Sequence, residues 1–339
     1  MNTKIDDGLS GRRRITLFAH WDPECIVDPY VVHYLEELRK ISDIAFYSDC
    51  NLPQTELAKI ESLCRVVGAG RHKAYDFGSY QKAYQKVESS LVNYDELILA
   101  NDSCYGPFSP LEELFEKMES DEFDYWGLTE HASSSFGGSQ HLQSYFVVMK
   151  KAVFQSDCFK SFIAGVKPEA DKRDVIIKYE VGLSKLLEAE GFKRGSLVAY
   201  DCGNVSYDGG ALLLVKDGVF PFIKREMLTE NPCCVARILR PIKKIAGSSN
   251  RDVVKLMLNH LNRFTNGSYG WGWSLLPTAT FTIIHRSFFR IKTSYRDGQH
   301  RVRLMVFGIR LLWINLPTKR LSHEEIMQEC LKLPSDGSK

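Results

Sequence analysis

The first 190 residues alternate short apolar runs with amphipathic helical stretches. That alternation restricts this part of the chain to a sheet with helices on its faces. Ile15-Thr16-Leu17-Phe18-Ala19 reads as a strand ending at His20-Trp21-Asp22-Pro23. Asp28-Pro29 then opens a helix with proline in its first turn, and Val31, Tyr34, Leu35 and Leu38 form its apolar stripe. Strands are expected at 44–47, 65–67, 96–100, 124–128 and 144–149, and helices at 57–63 and 78–91. Ser109-Pro110-Leu111-Glu112 has the form of a capping box opening a helix to Met118. A long helix is expected over 174–191, with Asp174 as N-cap and Gly191 just past its end. The segment 133–140, SSSFGGSQ, reads as a loop. The expected fold is α/β: a mostly parallel, Rossmann-like sheet flanked by helices, plus a basic C-terminal α+β extension.

The extension is visible in the charge. The formal net charge of the 339 residues is +2. Residues 1–220 carry 24 Lys and Arg against 34 Asp and Glu, whereas 221–320 carry 18 against 4. Arg237, Arg240, Lys243 and Lys244 form one cluster, and Arg286, Arg290, Lys292, Arg296, Arg301, Arg303 and Arg310 another. Such a segment calls for an anionic partner. A helix over 251–264, an aromatic loop over 267–273 and β structure over 281–316 are expected there. The domain reading is a flexible N-terminus at 1–14, a main domain at 15–232, the basic region at 233–325 and a tail at 326–339. No apolar run approaches the roughly 18 residues of a membrane helix, and residues 1–20 have no apolar signal core. The nine cysteines contain no CxxC pair, so reduced thiols of a cytoplasmic protein are expected rather than a zinc site.

Open α/β sheets bind ligands at the carboxyl ends of their strands. The residues falling there are His20 and Asp22, the run His72 to Gly78, Asn101-Asp102-Ser103, and Thr129-Glu130-His131. Asp102 ends a buried strand, where a carboxylate can hold Mg²⁺ or Mn²⁺ against a diphosphate or simply cap a turn. Ile176, Glu180, Leu183 and Leu187 recur at helical spacing, so Glu180 interrupts an apolar stripe. Burial there would raise its pKa toward a general base's range; a place at the stripe's rim would leave it an ordinary surface acid. Asp76 can bind a ribose or base, or cap its helix. His141 and Gln143 follow the SSSFGGSQ loop. Trp126 and Tyr145 can offer a sugar-stacking platform or fill the core. Gly68-Ala69-Gly70 is no dinucleotide fingerprint because Lys73 breaks the spacing, and no P-loop, nucleophile elbow or HExxH occurs.

These segments together resemble the rhamnan synthesis F family of polysaccharide glycosyltransferases. The similar stretches are HWDP (20–23), AYDFGSYQKAY (74–84), YDELILANDSCYGPFSPLEELFEKM (94–118), DYWGLTEH (124–131), HLQSYFVVMKKAVFQSDCFKSF (141–162), VIIKYEVGLSKLLEAEGF (175–192) and PFIKREMLTENP (221–232). They stand in the family's order. The resemblance implies a GT-A-like fold and transfer of a sugar, typically L-rhamnose from dTDP-L-rhamnose, onto a growing glycan. It implies that Asn101, Asp102 and Ser103 occupy the place of the metal-binding motif, with Asp102 the ligand of Mg²⁺ or Mn²⁺, and that Glu180 is the catalytic base. Donor contacts then fall to His20, Asp22, Tyr75, Asp76 and Gly78, and acceptor contacts to Trp126, Glu130, His141, Gln143 and Tyr145. Two places depart from the family's pattern: His72-Lys73-Ala74 replaces its usual Asn-x-Gly, and Gln81 stands where Lys is common. The expected partners are the nucleotide-sugar donor, a lipid-linked or glycan acceptor, and the anionic inner face of a bacterial cell membrane. No nucleic-acid partner is expected, since no DNA- or RNA-binding signature occurs. The residues alone also permit a non-catalytic sugar- or nucleotide-binding subunit of a glycan assembly complex.

Overall fold

The computed structural model describes residues 11–119, 122–131, 140–198, 207, 209–233, 235, 238–247, 249–267 and 322–331, and the backbone of three strands between 289 and 316. The chain divides into two compact units, Met1–Ser206 with Gly218–Ile223, and Tyr207–Asp217 with Lys224–Lys339.

The first unit runs β1 (Arg14–His20), α1 (Pro29–Arg39), β2 (Asp43–Ser48), α2 (Gln54–Leu57), β3 (Val66–Ala69), α3 (Tyr75–Val87), β4 (Glu96–Asn101), β5 (Cys104–Tyr105), α4 (Leu111–Met118), β6 (Tyr125–His131), β7 (His141–Leu142), β8 (Phe146–Lys150), α5 (Lys151–Phe154), α6 (Asp157–Ala164), α7 (Lys172–Val175), α8 (Gly182–Ala189) and β9 (Arg194–Val198). The main sheet has the order β3-β2-β1-β4-β8-β6-β7, with β9 on β6. β1 pairs in parallel with β2 and β4, β2 with β3, and β6 with β9. β8 is antiparallel to both β4 and β6. The carboxyl ends of β1, β2, β3, β4 and β6 therefore share one edge with the amino end of β8, where Phe146 lies opposite Ala100.

Burial explains why β1 and β4 are so apolar. Every residue of both is buried, as a central strand covered on two faces requires. Phe18 stacks on Phe46 at 5.8 Å and meets Tyr34 edge-on at 5.3 Å, tying β1 to β2 and α1. The opposite edge holds Arg14, whose Nε donates to Glu96 at 2.6 Å and whose guanidinium also reaches Glu119 and lies 4.5 Å over the Phe115 ring.

Local details differ from the sequence expectations for identifiable reasons. α2 stops at Leu57, where the expected helix begins, because Pro53 sets its N-cap upstream. α3 tightens into a 3₁₀ turn over Glu88–Asn93. Pro110, not Ser109, is the N-cap of α4, and no side chain caps it. The long helix starts at Lys172: Asp171, not Asp174, is its N-cap and accepts the Asp174 N–H at 2.9 Å. Its end is as expected, with Gly191 at φ +84°. Between α7 and α8 the helix widens into a π turn over Ile176–Val181. Residues 133–139 of the expected loop lie outside the described residues.

The second unit contains α9 (Gly209–Lys216), a short β10 (Ile223–Lys224) at its boundary, α10 (Arg225–Thr229), α11 (Leu239–Ala246), α12 (Arg251–Phe264), β11 (Phe289–Arg296), β12 (Gln299–Val306), β13 (Ile309–Leu316) and α13 (His323–Leu331). α11 buries Leu239, Ile242 and Ile245 and packs against α9, α12 and α13. β11, β12 and β13 form an antiparallel meander. The expected aromatic loop lies outside the described residues from 268 onward. Among the described residues no helix is long and apolar enough to cross a membrane.

Candidate active site

The carboxyl edge of the sheet gathers most of the residues singled out in the sequence. His20 ends β1, buried, with Nδ1 2.8 Å from Ser48 Oγ and Nε2 3.8 Å from Asp102 Oδ2. Asp102 is buried just past β4. Its carboxylate accepts the Trp21 N–H at 3.0 Å, and its carbonyl accepts the Tyr30 hydroxyl at 2.9 Å. Asn101 donates its Nδ2 to Asp76 at 2.8 Å, while its Oδ1 accepts the Ser103 N–H at 3.1 Å and the Ser103 hydroxyl at 2.5 Å. Asp76 in the first turn of α3 is thereby tied to the end of β4. Asp22 is buried and shapes the loop after β1: its carboxylate accepts the N–H groups of Glu24 at 2.9 Å and Ile26 at 3.3 Å.

Tyr75 stands apart from these buried groups. It is 44% exposed and holds φ at +52°, a conformation a bulky L-residue adopts at a cost and one that clusters at functional sites. Gly78 is explained by its neighbour: a Cβ there would lie 2.4 Å from His72 Nδ1. His72 uses Nε2 toward Ser79 Oγ at 3.0 Å, and Nδ1 accepts the Ala74 N–H at 3.2 Å. Burial, against the pull of Asp49, lowers its pKa and keeps the ring neutral.

Glu180 lies on the π turn, its side chain 18% exposed. Its Oε2 accepts both the backbone N–H of Ser144 at 2.8 Å and the Ser144 hydroxyl at 2.6 Å, and its Oε1 is 3.6 Å from His141 Nε2. This corrects the expectation of a raised pKa. Burial does push it up, but hydrogen bonds from His141 and from the Ser144 side chain and backbone outweigh burial and hold it below the usual range. The π turn also corrects the stripe. Val175, Tyr179, Leu183 and Leu187 are buried, and Glu180 is rotated to the border of that face.

The residues expected to meet the acceptor divide. His141 is buried and stacks on His131, 5.3 Å away at 15°. Gln143 accepts the Thr129 hydroxyl at 2.7 Å, and Glu130 is held by Arg194 at 3.1 Å. Trp126 and Tyr145 do not form a stacking platform. Trp126 is 4% exposed among Phe115 and Phe146, and Tyr145 is 2% exposed with its hydroxyl 2.8 Å from Thr129 Oγ1. Both rings belong to the core.

The sequence reading missed three groups that hold this edge together. Asp49 accepts the N–H groups of His72 at 2.6 Å and Lys73 at 3.0 Å, fixing the approach to α3. Ser144 holds Glu180. Tyr80, fully buried, donates its hydroxyl to the Ser144 carbonyl at 3.0 Å. Its phenol is pushed well above its usual pKa by burial and then by the charges of Asp76 and Glu180, with a hydrogen bond to Asn101 opposing. One ring thus stands between the Asp76–Asn101 pair and the Ser144–Glu180 pair. Its spacing of one helical turn from Asp76 was the available signal.

Over residues 44–308 the chain matches the model of a family described as rhamnan synthesis protein F. It is 23% identical over 179 residues to the uncharacterized protein y4gN of Sinorhizobium fredii, a match covering 53% of this chain and 47% of that one. It is 22% identical to the virulence protein VirA of Vibrio anguillarum, covering 75% and 92%. A solved glycosyltransferase involved in glycosylation of the major capsid of PBCV-1 aligns over 72% of this chain and 98% of its own, at 10% identity and a TM-score of 0.33. The chain belongs to the rhamnan synthesis protein F family.

Proposed function

We propose that the chain is an inverting glycosyltransferase that moves L-rhamnose from dTDP-L-rhamnose onto a growing bacterial surface polysaccharide such as an O-antigen, rhamnan or capsule. The observation that carries this reading is one ionised carboxylate, Glu180, held at the sheet edge that also presents Asp76, Asn101 and Asp102. The donor's nucleotide lies along Tyr75, Asp76 and the loop of His20 and Asp22, with its diphosphate toward Asp102 and Ser103. The acceptor hydroxyl gives its proton to Glu180 as its oxygen bonds to the anomeric carbon, and the bond from that carbon to the diphosphate breaks. A single displacement inverts the centre, so a β-linked donor yields an α-linked product. Ser144 and His141 hold the base charged and oriented.

The donor set fits a divalent cation. Mg²⁺ and Mn²⁺ take hard oxygen ligands, usually one or two carboxylates together with substrate phosphates. Asp102, with Asp76 joined to it through Asn101, supplies that chemistry. When bound, the cation offsets the charge of the leaving nucleoside diphosphate.

The test is donor turnover and thermal shift by the purified protein against a panel of nucleotide sugars, with Mn²⁺ or Mg²⁺ and with EDTA. The expected result is a response to dTDP-L-rhamnose that EDTA abolishes. Glu180→Gln should lose roughly 10²–10⁴-fold in turnover while keeping the donor-induced shift. Near-normal turnover by Glu180→Gln would remove the base assignment. A protein indifferent to every nucleotide sugar would remove the transferase reading.

A further inference from the structure

We propose that one face of the β11–β13 sheet docks the chain onto an anionic lipid bilayer. This goes beyond the transfer reaction and is tested without donor or acceptor. Successive residues of a strand fall on opposite faces. In β11 the alternation places Arg290, Lys292 and Arg296 on one face. The β11–β12 register sets Lys292 opposite Arg303, Ser294 opposite Arg301 and Arg290 opposite Met305, so Arg301 and Arg303 share that face. The β12–β13 register sets Trp313 opposite Arg303 and Arg310 opposite Met305.

Arg310 and Trp313 are three apart and would fall on opposite faces of a regular strand. The register shift at Leu304/Met305 lets β13 take one extra residue and returns both to the same face. Six cations are thus collected on one side of three strands that contain no acidic residue. The other side carries Ile291, Val302, Leu304, Leu312, Ile314 and Leu316 among its positions.

Charge complementarity chooses the occupant. The cations are spread in two dimensions, with neighbouring strands about 4.8 Å apart and same-face positions about 6.7 Å apart along each strand. A plane of lipid phosphates matches such a lattice, whereas a nucleic-acid strand presents its phosphates along a line. Trp313 within the basic face is a residue type that favours the headgroup level.

The experiment is flotation of the full chain with phosphatidylcholine vesicles, with and without phosphatidylglycerol, at rising salt. Binding should require the anionic lipid and fall steeply with salt. Arg301→Thr with Arg303→Thr should weaken it about 25-fold, near fivefold per charge. Arg301→Lys with Arg303→Lys should retain it, which separates charge from folding. Arg240→Glu with Lys244→Glu, exposed positions on α11, should leave it within about threefold of the parent. Equal binding to neutral vesicles, retention of binding by the Thr pair, or an equal loss in the α11 pair would overturn the proposal. So would an oligonucleotide that binds the chain and displaces it from vesicles at equimolar phosphate. If the Thr pair fails to fold, the lipid and salt dependence of the parent, the Lys pair and the α11 pair decide the matter.

Discussion

Ser144 gives Glu180 two hydrogen bonds from one residue, its N–H at 2.8 Å and its hydroxyl at 2.6 Å. With His141, both favour the charged carboxylate and outweigh burial, so the folded pKa lies below the ordinary glutamate range near 4.3. The stabilisation is therefore fully present above that range and is lost as pH falls through the depressed folded value. In the proposed reaction the same shift would keep Glu180 ionised into mildly acidic solution. Ser144→Ala removes the hydroxyl but keeps the N–H, and it should move the acid limb of kcat/KM to higher pH. A profile that does not move would show that Glu180 does not set that limb. The sequence revealed Glu180 as a polar residue in an apolar stripe, but it could not reveal the sign of its pKa shift. That sign depends on His141 and Ser144, both distant from Glu180 in the chain. Trp126 and Tyr145 show the converse: aromatic residues near a site edge look alike in sequence whether they face a sugar or the core.

Among elements, the strands were legible and their directions only partly so. Strands covered on both faces leave continuous apolar runs, which is how β1, β4 and β8 announce themselves. Nothing in the apolar run of β8 records that it is antiparallel to β4. The π turn left no compositional trace, because a widened turn changes phase without requiring a particular residue type. Helix starts were misread where several polar residues compete. Asp171 and Asp174 both suit an N-cap, and only Asp171 makes the bond. Asp171→Ala should cost about 1 kcal/mol in urea denaturation. Ser109→Ala should change stability by less than about 0.5 kcal/mol, since Ser109 is not the N-cap of α4. A larger loss at Ser109 would restore the capping box.

At the scale of the whole first unit, the two edges of the sheet have separate tasks. The carboxyl edge carries the proposed chemistry. The opposite edge carries Arg14 and Glu96, with side chains 1% and 3% exposed. Breaking a buried pair strands the remaining charge, so Glu96→Gln should destabilise the unit by about 3 kcal/mol, the lower end of such losses because Glu119 still faces Arg14. Donor-induced thermal shift should survive, measured as the increment over the variant's own melting temperature. Loss of that increment would show that the two edges are coupled.

Tyr80 has a consequence for redesign. Its ring spans from the residues proposed to meet the donor to the serine that holds Glu180, and it packs without exposure. Catalytic groups must be held to within about 0.5 Å of their working geometry. On the proposed roles, a stiff spacer of this kind would make sugar preference and base placement one adjustable parameter instead of two. On those roles, a change at Asp76 and Asn101 that admits another donor would be transmitted to Glu180. A successful change of donor would then call for a compensating change at position 80 or 144.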